Sequence, residues 1–120
     1  MVTTAITAMK IKKGADYQGL KREMWFAIGV ALSIINGYGY KFVLTCGTDS
    51  HTTGLHPKGF AVDIRTRHIP LATETLIYND LQTRLEAMGF DVVYREPNRP
   101  RHLHIEYDSK PGEQFIEEVD

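Results

Sequence analysis

The chain has 120 residues, 14 of them Lys or Arg and 15 Asp or Glu, for a formal net charge of −1. That is the length of one domain, so residues 1–120 are read as a single unit, and the near-neutral balance argues against a nucleic-acid partner, which would call for a basic excess. One cysteine excludes an internal disulfide. No apolar run reaches the length of a membrane span, and no charged segment followed by an apolar core marks a secretory signal.

In chain order, Ala5-Ile6-Thr7-Ala8-Met9 reads as a short strand or a docked arm. Lys10, Lys12 and Lys13 follow as a basic cluster, either a solvated surface or a contact for phosphate or wall polymer. A helix is expected from about residue 17 to 36, because Leu20, Met24, Ile28, Ala31 or Leu32, and Ile35 recur at three- and four-residue steps. Trp25 and Phe26 thicken its apolar side, Lys21, Arg22 and Glu23 lie near its exposed start, and Gly37 and Gly39 stop it. Gly29 reads as a close contact with the sheet.

Tyr40 to Cys46 has the composition of a strand, with Cys46 a buried free thiol. Residues 47–55 are a polar loop carrying His51, and residues 59–65 form a second strand. His68 belongs to a surface connection. A second helix is expected over 73–88, with Thr73 as cap, Glu74 in the first turn, an inner face of Leu76, Ile77, Leu81, Leu85 and Met88, and Gly89 as the stop. Strands at 90–94 and 102–107 flank a turn bracketed by Pro97 and Pro100. In the last strand, alternation sends Leu103, Ile105 and Tyr107 to the core and His102, His104 and Glu106 to a cleft. Phe115 and Ile116 dock an acidic tail. The expected architecture is α+β: a mainly antiparallel sheet of about four strands, two principal helices packed on one side, and a metal site in a cleft on the sheet.

Two segments carry the chemistry. In His56-Pro57-Lys58-Gly59-Phe60-Ala61-Val62-Asp63 a histidine and an aspartate stand seven positions apart, and His102-Leu103-His104 lies near the C-terminus. A catalytic zinc takes three protein ligands of the His and carboxylate type and leaves one position open. His56, Asp63 and one histidine of the 102–104 pair supply such a set. Gly59 and Ala61 let the chain turn and pass close to a neighbour. Asp63 lies in an apolar strand interior, where a carboxylate is costly unless paired.

These residues resemble the zinc D-alanyl-D-alanine carboxypeptidases and dipeptidases, and the related signalling domain of Hedgehog proteins. The Hedgehog-like similarity takes in Leu44-Thr45-Cys46-Gly47, Leu55-His56, Gly59 and Ala61-Val62-Asp63-Ile64, then Leu85 to Glu96 and His102-Leu103-His104. The resemblance implies zinc ligands His56, Asp63 and His104, a general-base Glu96, His102 beside the metal's water, and His51 as a further histidine near the metal. It departs at Thr45-Cys46-Gly47-Thr48, where the cell-wall enzymes usually carry a Ser-Gly-Tyr-Arg-like segment, and in a longer interval from Glu96 to His104. Glu106 is a rival to Glu96 as base and otherwise an exposed strand carboxylate.

The resemblance implies a monomeric Zn2+-dependent peptidase acting on a peptide or peptidoglycan-stem substrate, without a nucleic-acid or membrane partner. Without a signal segment, the expected location is the cytoplasm, or that of a phage-encoded protein released on lysis. The alternative is a Hedgehog-like zinc module without turnover, serving stability or partner recognition.

Overall fold

The structure is a computed structural model that describes residues 8–48, 58–94, 101–108, 115–116 and 119. Its elements are β1 (Met9–Ile11), α1 (Arg22–Gly37), β2 (Phe42–Cys46), β3 (Ala61–Arg65), α2 (Leu71–Leu85) continued by a 3-10 turn (Glu86–Met88), β4 (Phe90–Tyr94) and β5 (His102–Tyr107). The five strands form one sheet in the order β1-β2-β3-β5-β4. All neighbours are antiparallel except β1 and β2, which are parallel. The α+β class holds, as does the mainly antiparallel pairing, and the expected count of about four strands is corrected to five in a mixed sheet. The fifth strand, β1, overlaps the strand or arm expected at 5–9 only at Met9, being three residues long and too short for its alternation to be legible. It returns to β2 through α1, and such a crossover makes neighbours parallel.

One face of the sheet is apolar because the period of two is kept on each strand. Phe42, Leu44, Val62, Ile64, Phe90, Val92, Leu103, Ile105 and Tyr107 join Met24, Ala27, Ile28, Ala31 and Ile35 of α1 and Ile77, Leu81 and Leu85 of α2 in one buried cluster. Phe115 closes an end of it, with its ring 5.1 Å from Phe26, 5.6 Å from Phe90 and 5.8 Å from Tyr107.

Several local expectations change. α1 begins at Arg22 instead of 17, because the preceding residues spend their backbone groups on loops: Thr48 N donates to Asp16 O at 2.8 Å and Lys21 N to Gly59 O at 3.0 Å. A Cβ at Gly47 would collide with the Asp16 carbonyl, and one at Gly59 (φ +83°) with the Gly19 carbonyl, so both glycines are demanded by this crossing of chains. Glu23 is buried, not at an exposed start, with Arg22 Nε 3.8 Å from its carboxylate. α2 starts from Pro70, not Thr73, and Pro70 O accepts the first helical bond from Glu74 N. Leu76 is exposed, because the stripe of Ile77, Leu81 and Leu85 with Glu74 lies roughly 100–180° of helical turn away from it.

Gly29 does not touch the sheet; it is exposed, and a Cβ there would meet nothing within 4 Å. Gly29→Ala is therefore expected to stabilise the protein by about 0.5–1 kcal/mol, read as a higher denaturant midpoint.

Tyr38, just past α1, donates its hydroxyl to Asp80 Oδ2 of α2 at 2.8 Å. That bond raises the phenol pKa, with desolvation and the Asp80 charge acting in the same direction. A raised folded value means that the bond's contribution is fully present below the ordinary tyrosine pKa of about 10 and is lost as pH rises through the folded value. Tyr38→Phe is expected to be less stable than wild type at neutral pH, and the difference should vanish in alkaline unfolding curves.

Candidate functional site

The second face of the sheet is polar. Across β3 and β5, Asp63 stands opposite His104, Arg65 opposite His102 and Ala61 opposite Glu106. Directly opposed residues of an antiparallel pair hold their Cβ atoms about 4.5–5.5 Å apart, which brings short polar side chains within hydrogen-bond reach. Asp63 Oδ1 lies 2.8 Å from His104 Nδ1, and Glu106 Oε1 lies 3.0 Å from His104 Nε2. The ring is 8% exposed, so these contacts are made largely out of water. The expected facing of β5 is observed: Leu103, Ile105 and Tyr107 are in the core, and His102, His104 and Glu106 lie on the opposite face.

The two contacts of His104 have a chemical consequence. A neutral imidazole has one N–H and one lone pair, whereas ionised carboxylates only accept. With a carboxylate at each ring nitrogen, a neutral ring donates to one of them, and the other contact is completed by a further proton, on ring or carboxyl, or by a metal ion. Two ligands of a tetrahedral zinc at roughly 2.0–2.1 Å stand about 3.3 Å apart. Asp63 and His104, 2.8 Å apart, reach that separation with a shift of about half an ångström. These two donors fit the ion.

β2 supports Asp63 from the other flank. Its register shifts between Leu44 and Cys46, so that Cys46 pairs with Asp63, and Thr45 Oγ1 donates to Asp63 O at 3.3 Å. Such bulges re-aim side chains and are frequent beside functional sites. Cys46 is a buried free thiol. His68 lies outside this face: it is exposed, with Nε2 2.8 Å from Lys41 O.

The start of β5 is fixed by an arrangement that the sequence did not reveal. Arg101 Nη1 donates to Glu74 Oε1 at 2.7 Å, and Nη2 to Ile69 O at 2.9 Å. Thr66 N donates to Arg101 O at 3.1 Å. The Glu74 side chain is 0% exposed. The pair is separated by 27 residues, and the one local sign is a carboxylate at α2 in phase with Ile77 and Leu81.

Asp63, His104, His102 and Glu106 are thus brought onto one face. His51, His56 and Glu96 lie outside the described residues. Among the described residues, no group of three or more His, Cys, Asp or Glu side chains is placed to hold a metal ion. Comparison with family models, with curated proteins and with solved structures finds no match to this chain. A zinc site built on Asp63 and His104 would need at least one further ligand beyond the described residues. The His56 segment, which leads into β3, is the candidate that the motif names.

Proposed function

We propose that the chain is a zinc-dependent peptidase hydrolysing short D-amino-acid-containing peptides of the peptidoglycan type. The supporting observation is His104, set between two carboxylates with Asp63 opposite it in register. The substrate class is supported by the motif resemblance. In this reading His56, Asp63 and His104 hold the ion. A zinc ion so held supplies Lewis acidity toward a scissile carbonyl and a water of lowered pKa. Glu96 takes the proton of the attacking water and returns it to the leaving amine. His102, on the same face and one strand position pair from His104, donates to the developing oxyanion, a role commonly worth a few kcal/mol per donor. Glu106 holds the second nitrogen of His104 and fixes its ring, as carboxylates do for metal-bound histidines.

A second reading is a zinc module without turnover. The Thr45-Cys46-Gly47-Thr48 segment favours it, for no arginine stands where the cell-wall enzymes carry one. Elemental analysis of protein purified without added metal is expected to find about one equivalent of zinc; below about a tenth, with no uptake on titration, both readings fail. Zinc-dependent cleavage of a panel of wall-type peptides then separates enzyme from module.

A further inference from the structure

A cavity of about 240 Å3 opens on the polar face beside Asp63, lined by Lys12, Thr45, Asp63, Arg65, Arg67, Arg101 and His102. Among the described residues, four Lys and Arg border this one space against one Asp or Glu, in a protein whose net charge is −1. The concentration is local, and it brings together residues from three places in the chain. Lys12 is held there because its N–H donates to Leu44 O at 2.8 Å, continuing the pairing of β1 with β2. Arg65 ends β3, opposite His102, and Arg67 follows in the turn.

The four cations differ in what they already do. Arg101 is committed to Glu74 and to the Ile69 carbonyl. Lys12, Arg65 and Arg67 have no ion-pair partner among the described residues. Asp63, the one carboxylate in the lining, is turned to His104. Three like charges around one space repel, and Asp63 offsets at most one of them, which leaves a surplus of about two among the described residues. A phosphate group carries about −1.5 to −2 near neutral pH, and guanidinium forks match its oxygens in pairs. A single carboxylate would neutralise half as much.

We propose that this cavity is an anion site for a doubly charged phosphate group, formed by Lys12, Arg65 and Arg67. The cavity shares Asp63 and His102 with the proposed zinc site, so its test is made on chelator-treated protein, where phosphate on a metal ion plays no part and the anion site can fail or hold apart from the zinc reading. Calorimetric titration with inorganic phosphate at about pH 7.5 and constant low ionic strength is expected to show saturable binding with a Kd of about 1 mM or tighter. The double variant Arg65→Gln/Arg67→Gln should bind at least about tenfold more weakly, and sodium acetate should bind wild type at least about tenfold more weakly than phosphate. Lys12→Gln, at an exposed position, should weaken phosphate several-fold and carries the test should the double variant fail to fold. Absence of saturation, phosphate affinity unchanged in folded variants, or acetate binding as tightly as phosphate would each overturn the assignment, the last in favour of a carboxylate site.

Discussion

Replacing Arg101 by methionine is expected to destabilise the protein by about 2–3 kcal/mol, less than the cost of removing one partner from a fully buried ion pair, because the Arg101 side chain is 32% exposed. The Glu74 side chain is 0% exposed and its Oε1 lies 2.7 Å from the guanidinium. Deleting that cation removes a 2.7 Å charge-assisted hydrogen bond from a carboxylate set in the apolar stripe of α2, out of reach of solvating water. Against a domain stability of about 5–15 kcal/mol the loss is large. Equilibrium denaturation measures it, and a change under about 1 kcal/mol would show that the pair is not the anchor described here. The double variant Arg101→Met/Glu74→Gln is expected to recover much of the loss, since both charges are then gone. A zinc titration should also register the single change, because Arg101 directly precedes the strand that bears His102 and His104.

The second large effect is catalytic. Under the proposed mechanism, Glu96→Gln keeps its metal and loses about 10²–10⁴-fold in turnover, the range for a missing general base. Glu106→Gln behaves otherwise. Its oxygen lies 3.0 Å from His104 Nε2, so its loss should weaken metal binding by about 10–100-fold. Turnover per bound zinc should remain near wild type. His104→Ala loses the metal, whereas His102→Ala retains it with reduced turnover. The deciding measurement is turnover of both glutamine variants at matched zinc content. A dead Glu106→Gln beside an active Glu96→Gln would move the base onto β5.

What was legible in the sequence was the part that depends on near neighbours. Alternation over 102–107 assigned Leu103, Ile105 and Tyr107 to the core, because side chains on a strand change face at every step. The three- and four-residue spacing of Met24, Ile28, Ala31 and Ile35 did the same for α1. The partner of each strand was not legible. A period of two says which face Asp63 occupies, but not that His104, 41 residues later, stands opposite it. The Glu74–Arg101 pair has the same character: each residue by itself reads as an ordinary helix-start acid or a surface base. β1 was only partly legible, meeting the strand or arm expected at 5–9 at Met9 alone, because three residues carry too little pattern, and the start of α1 was misplaced because chain crossings at Gly47 and Gly59 took up the preceding backbone. In the candidate site, the pairing of Asp63 with His104 is visible in the fold, whereas the roles of His51, His56 and Glu96 rest on the motif.

The place of the two donor strands has a mechanical consequence. β3 is bonded to β2 on one side and β5 on the other, and β5 lies between β3 and β4. Neither is an edge strand, so neither can slide or peel without breaking two ladders at once. Separating Asp63 from His104 by more than a side-chain adjustment requires opening the centre of the sheet, an event that draws on much of the stability of the whole domain. The pair is therefore preorganised: its spacing is set when the chain folds, and ligand binding has little left to order there.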